Sequence, residues 1–143
     1  KALVSGAPSE PIEKLRERVR GRRVLIVEDN VVNERLLAAT LVKEGFKVLT
    51  AHNGLEAVER LERDTVDLVL MDVQMPVLDG LEATRLIRRG GHGANDAEIP
   101  VVAMTAHNMA GDRERCLLAG MDDYLPKPVT LTDLRRVLAR HAP

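Results

Sequence analysis

From Arg23 to His141 the chain alternates short unbroken apolar runs with longer stretches whose apolar residues recur every three or four positions. The runs Arg23 to Glu28, Lys47 to Ala51, Leu68 to Asp72, Ile99 to Thr105 and Asp123 to Leu125 are rich in Val, Leu and Ile. They lack the polar alternation of a strand with one wet face and predict strands buried on both faces. The stretches Val31 to Glu44, Gly54 to Glu62, Gly80 to Arg89, Met109 to Ala119 and Leu131 to His141 predict helices between and after them. Asn30 and Thr130 stand where two of these helices need N-caps, and Gly45 and Gly120 where two must close. Strands alternating with helices favour a parallel sheet covered on both faces, because each right-handed crossover lays its helix over the sheet. The expected fold is α/β, a doubly wound five-stranded parallel sheet.

The first 21 residues depart from this pattern. Residues 1–11 are small, polar and punctuated by proline, which is linker composition. Ile12, Leu15 and Val19 then recur at helical spacing among charged residues and predict a short helix leading into the domain. The expected organisation is therefore a linker or lead-in helix over 1–21 and one domain over 22–143, a size that can bury a full core.

Composition narrows the function mainly by exclusion. Lys and Arg number 21 against 22 Asp and Glu, so no basic face marks a nucleic-acid partner. Cys116 is the only cysteine, which rules out an internal disulfide and points to a reducing compartment, the cytoplasm. No window reaches the roughly 18 apolar residues of a membrane span, so no membrane contact is expected of this chain. A start at Lys1 rather than Met leaves room for a longer, membrane-anchored parent protein.

The candidate chemistry lies where the apolar runs end. Val69-Leu70-Met71 drives into Asp72, and Pro76 and Gly80 then break the chain. Glu28-Asp29 follows the first run, Thr105 ends the fourth, and Lys127-Pro128 follows the fifth. Open parallel sheets bind ligands beyond the carboxyl ends of their strands, where the strand order reverses. If the strands take the order 2-1-3-4-5, that point falls between the first and third strands, and the three acids face one another. Carboxylates sharing a crevice repel unless a cation neutralises them, and an all-oxygen donor set without histidine or cysteine suits Mg²⁺ rather than zinc. A shielded carboxylate is a nucleophile towards phosphorus. Asp72 is the candidate, with the Lys127 ammonium and the Thr105 hydroxyl placed to share the phosphoryl charge.

In this arrangement Glu28-Asp29-Asn30, Asp72 with Met75-Pro76 and Asp79-Gly80, Thr105-Ala106 and Lys127-Pro128 closely resemble the receiver domain of two-component response regulators, over about residues 22 to 141. The resemblance implies a flavodoxin-like sandwich in which Asp72 accepts a phosphoryl group from a phosphohistidine. Glu28, Asp29, Asp72 and the backbone carbonyl of Gln74 would serve Mg²⁺, Glu28 through a bound water. Thr105 and Lys127 would hold the phosphoryl group, and Tyr124 would change rotamer as Thr105 moves. The partner preference of the surface formed by the fifth strand and the domain's fourth and fifth helices would change with it. The resemblance also favours a cis Lys127-Pro128 bond, and it places Gln74 and His107 where water access is governed. Glu28 stands where the family often has aspartate.

Asn30-Val31-Val32-Asn33-Glu34-Arg35, Met104-Thr105-Ala106-His107 and Gly120-Met121-Asp122-Asp123-Tyr124 look most like receivers fused to hybrid sensor histidine kinases. The partners this implies are the phosphohistidine domain of a kinase, a histidine phosphotransfer domain, or both, with weak homodimerisation as a further association. The domain would catalyse its own phosphorylation and dephosphorylation, and its parent would be a histidine kinase.

Plainer readings exist for each residue alone: Asp72 as a turn former, Thr105 as a cap, Lys127 as a solvated charge, Tyr124 as packing. Their joint placement at strand ends carries the phosphoacceptor reading. A stand-alone regulator and a pseudo-receiver that only binds partners stay open. A Mg²⁺-dependent phosphatase with an aspartyl nucleophile is disfavoured, because it needs a second acid where Gln74 stands. Asp79-Gly80 reads as the turn into a helix, and the glycine-rich Arg88 to Asn95 as a flexible surface connection.

Overall fold

The computed structural model describes residues 12–75, 77–90, 95, 97–106 and 110–141. The expected linker over 1–11, Pro76, His107, the helix start at Met109 and the glycines 91 and 93 lie outside these residues. In chain order the elements are α1 (Ile12–Val19), β1 (Arg23–Val27), α2 (Val31–Lys43), β2 (Lys47–Ala51), α3 (Gly54–Arg63), β3 (Leu68–Asp72), α4 (Gly80–Arg89), β4 (Val101–Thr105), α5 (Ala110–Ala119), β5 (Asp123–Pro126) and α6 (Leu131–His141). All five strands are parallel, as the alternation of strands and helices favours, and they are ordered β2-β1-β3-β4-β5.

Alternate residues of each strand feed opposite faces of the sheet. Leu25, Val27, Val69, Met71, Val101 and Ala103 face Ala57 and Leu61 of α3, Ala83 and Ile87 of α4, and Cys116 and Ala119 of α5. Val24, Ile26, Leu68, Leu70, Val102, Met104 and Leu125 face Leu41 of α2 and Leu134, Val137 and Leu138 of α6. Val19, the last residue of α1, is 1% exposed and joins this second cluster with Phe46 and Leu138, so the lead-in helix docks on the domain.

Helix starts are fixed by side-chain caps. The Asn30, Asn53 and Asp79 side chains accept the backbone N–H of Asn33, Glu56 and Glu82 at 3.0, 2.9 and 2.9 Å. The Thr130 hydroxyl accepts the Asp133 N–H at 3.2 Å. β4 begins two residues after the expected Ile99, because Pro100 has no N–H for the ladder and contributes only its carbonyl, to the N–H of Val69 at 2.9 Å.

Two polar clamps join elements distant in sequence. Arg88 of α4 donates to the carbonyls of Ala97, Ile99 and Gly120 at 2.7, 2.7 and 2.8 Å and to the Asp122 carboxylate at 2.8 Å. Asn95, read from sequence as part of a surface connection, accepts the Val66 N–H at 2.9 Å and donates to the Asp64 carbonyl at 2.8 Å, closing the end of α3. Among the described residues no helix is long and apolar enough to cross a membrane.

Candidate functional site

The sheet registers bring the site residues together. Val27 pairs with Met71, so Glu28 and Asp72, one residue further along β1 and β3, emerge side by side where the strand order reverses. Asp72 pairs with Met104 and Thr105 with Pro126, which puts Thr105 and Lys127 next along the same edge. The Lys127 N–H donates to the Thr105 carbonyl at 2.8 Å, extending the ladder past the end of β5. Glu28, Asp29, Asp72, Gln74, Thr105 and Lys127 thereby line one cleft of about 360 Å³. The Lys127-Pro128 bond is cis, as the resemblance favoured.

Charge is unevenly matched in this cleft. Carboxylate oxygens of Glu28, Asp29 and Asp72 all lie within 4.8 Å of one another. Glu28 and Asp72 are buried, at 2% and 4% exposure, whereas Asp29 is exposed. Lys127 Nζ lies 3.0 Å from Glu28 Oε1 and 3.0 Å from Asp72 Oδ2. Burial alone would lower the Lys127 pKa; hydrogen bonds to Glu28 and Asp72, with their Coulomb attraction, outweigh it and hold the ammonium above its ordinary range.

One ammonium against three carboxylates leaves a formal excess of negative charge, and every side-chain donor in the cluster is a hard oxygen. The set fits a small divalent cation such as Mg²⁺, which takes a few carboxylates and keeps the rest of its shell for water or phosphate.

Backbone amides fix the two buried acids. The Gln74 N–H donates to Asp72 Oδ1 at 3.2 Å, and the Asn30 N–H donates to Glu28 Oε2 at 3.3 Å. Both Asp72 oxygens are therefore engaged, and the carboxylate has one orientation.

Three features escaped the sequence reading. Asn33, on the first turn of α2, also lines the cleft. Gly80 is more than the turn into α4: a Cβ there would lie 2.3 Å from the Asp72 carbonyl oxygen and 3.0 Å from Met71 Cγ. The loop after β3 is thus pressed against the backbone of Asp72 itself. Lys127 bridges Glu28 as well as Asp72, a pairing that no spacing announces.

Tyr124 is absent from the cleft lining. Its Cα pairs with that of Ala103, one pleat back from Thr105 on the sheet face that α5 covers, and its ring packs against that core cluster. The Asp123 carboxylate accepts the Tyr124 N–H at 2.8 Å through Oδ1, while Oδ2 meets Arg140 at 3.0 Å and His141 at 2.9 Å. Burial would raise the Asp123 pKa, but the His141 and Tyr124 hydrogen bonds and the charges of His141 and Arg140 hold it below its ordinary value.

The family model of the response regulator receiver domain matches residues 24–139. Hybrid signal transduction histidine kinase G of Dictyostelium discoideum is 45% identical over 123 residues, which are 85% of this chain and 4% of that kinase. The sensor histidine kinase GacS of Pseudomonas protegens is 42% identical over 134 residues, 94% of this chain and 14% of the kinase. The chain thus spans a small part of these relatives.

A crystal structure of the receiver domain of a Pseudomonas aeruginosa sensor histidine kinase, with a magnesium ion coordinated in its active site cleft, superposes with a TM-score of 0.77. Its sequence is 44% identical, and the match covers 85% of this chain and 98% of that one. A co-crystal of the Saccharomyces cerevisiae histidine phosphotransfer protein Ypd1 with the receiver domain of the response regulator Ssk1 matches with a TM-score of 0.78 and 37% identity, over 87% of this chain and 90% of that one.

Proposed function

The chain belongs to the response regulator receiver family, and from that premise we propose that it is the phosphoryl-accepting module of a hybrid sensor histidine kinase, with Asp72 as acceptor. One observation carries the assignment of Asp72: it is the buried acid that ends the sheet's central strand, β3, with Oδ2 3.0 Å from the Lys127 ammonium, Oδ1 held by the Gln74 N–H, and Glu28 and Asp29 within 4.8 Å.

In the proposed reaction a carboxylate oxygen of Asp72 attacks the phosphorus of a phosphohistidine. The P–N bond breaks, its electron pair returns to the imidazole, and an acyl phosphate forms. Gln74 N–H and Lys127 hold the nucleophile in one orientation beforehand, so little reorganisation is needed at transfer. Lys127 then faces the phosphoryl oxygens, and Thr105, at the end of β4, supplies its hydroxyl to them. Glu28, Asp29, Asp72 and the Gln74 carbonyl would hold Mg²⁺. The ion, when bound, would neutralise charge between carboxylates and phosphate.

The domain proper runs from Arg22, with α1 as its lead-in. The donor is a histidine phosphotransfer domain or the kinase's own phosphohistidine, in keeping with the phosphotransfer protein seen beside Ssk1. The setting is the cytoplasm. Tyr124 responds to Thr105 and alters the surface formed by α5, β5 and α6.

The test is incubation of the chain with Mg²⁺ and acetyl phosphate, read by intact mass beside Asp72→Asn. The proposal expects a Mg²⁺-dependent gain of one phosphoryl group that the variant lacks. An equal gain in the variant, or none in either, contradicts it.

A further inference from the structure

The ring of Tyr124 has a charged neighbour across the sheet face that the reaction does not use. The guanidinium carbon of Arg113, on α5, lies 5.8 Å from the ring centroid, within the range of a cation–π contact. The backbone beneath the ring is pinned. β5 pairs with β4 at Ala103, and the Tyr124 N–H is held by Asp123, itself held by Arg140 and His141. A response at this position must therefore be a rotation of the side chain. Arg113 touches the part that rotates. Both Asp72 oxygens are engaged in the same conformer, by Gln74 and Lys127, so the contact belongs to the arrangement with a free carboxylate.

We propose that Arg113 is a positioning residue for Tyr124: its guanidinium holds the ring in the rotamer seen here and biases the domain against its phosphorylated conformation. This rests on Asp72 being the phosphoacceptor. A contact made in one of two conformers shifts their equilibrium by its differential strength. An exposed cation–π contact is worth about 2- to 5-fold in such an equilibrium. The α5 helix thereby sets how readily Asp72 is phosphorylated without touching the cleft.

The chain provides its own probe, since Tyr124 is its one tyrosine and it has no tryptophan. Acrylamide quenching of tyrosine emission would be measured for the full chain, Arg113→Met and Arg113→Lys without phosphodonor. The rate of mass gain with Mg²⁺ and acetyl phosphate would be followed in parallel.

The expected result is that Arg113→Met alters the quenching constant and speeds phosphorylation about 2- to 5-fold. Arg113→Lys, which keeps a cation over the ring, stays near the parent in both. Unchanged quenching in Arg113→Met, or the same change in both variants, overturns the role of Arg113. Absence of any mass gain overturns the phosphoacceptor reading instead, and the donor-free quenching comparison still decides whether Arg113 holds the ring.

Discussion

Lys127 balances the cleft, because a single ammonium meets two buried carboxylates and a third acid stands within reach of both. Removing one partner of a buried pair leaves an uncompensated charge and costs about 3–5 kcal/mol when burial is complete. Lys127 is about a quarter exposed, so Lys127→Met is expected to lose on the order of 2 kcal/mol in urea unfolding without metal. Mg²⁺ should restore part of that loss, since it binds the folded site and the acids would then have their cation. A variant as stable as the parent without metal would show that the pairing contributes nothing. Gly80 makes a second prediction at this scale. A methyl group cannot fit 2.3 Å from the Asp72 carbonyl, so Gly80→Ala must shift the backbone of Asp72. Phosphorylation should slow by about 10- to 100-fold, the effect of a displacement near one ångström, while Mg²⁺-free stability falls by about 1–3 kcal/mol. Neither constraint was legible in the sequence. Asp79-Gly80 reads as a turn whatever lies beneath it, and no spacing reports which acids a lysine will bridge.

The elements were far more legible than these contacts, and the reason is physical. Runs such as Val24 to Val27 and Val69 to Met71 are buried on both faces, so their composition alone marks them, and Asn30 and Thr130 cap helices through local bonds. What the pattern did not carry was contact between distant elements. Val19 entering the core cluster that holds Leu138, Asn95 closing α3 and Arg113 lying over Tyr124 each depend on the finished topology. The join of α6 to β5 is another such contact and makes a pH prediction. Asp123 has its folded pKa lowered, so the stability it contributes is present above its unfolded value of about 3.9 and is lost as pH falls through the folded value below that. With Arg140 half exposed, the join is worth about 1 kcal/mol. Asp123→Asn should therefore be about 1 kcal/mol less stable than the parent at pH 7 in urea unfolding, and the gap should narrow as pH falls below the unfolded value of about 3.9. A gap that stayed constant or widened in acid would assign the loss to packing rather than charge.

Across the whole molecule the sheet assembles the site, since each site residue is the last of an apolar strand or follows closely after it. The parallel order, with its reversal between β1 and β3, brings Glu28 and Asp72 together, and β4 and β5 add Thr105 and Lys127. Most of the cleft is legible in the sequence for this reason: burial marks the strands, and the strand order of the family it resembles says which ends meet. The surroundings of Tyr124 were legible only in outline, because its ring packs against α5 on the face of the sheet opposite α6. Asp72 as the atom-level acceptor is the central claim, and chemical trapping tests it most directly. Borohydride reduces an acyl phosphate to the alcohol, so a phosphorylated aspartate becomes homoserine at its own position. After Mg²⁺ and acetyl phosphate, peptide mass mapping should find homoserine at position 72 and at neither 28 nor 29. Homoserine at either of those positions, or at none after a confirmed mass gain, would contradict the claim.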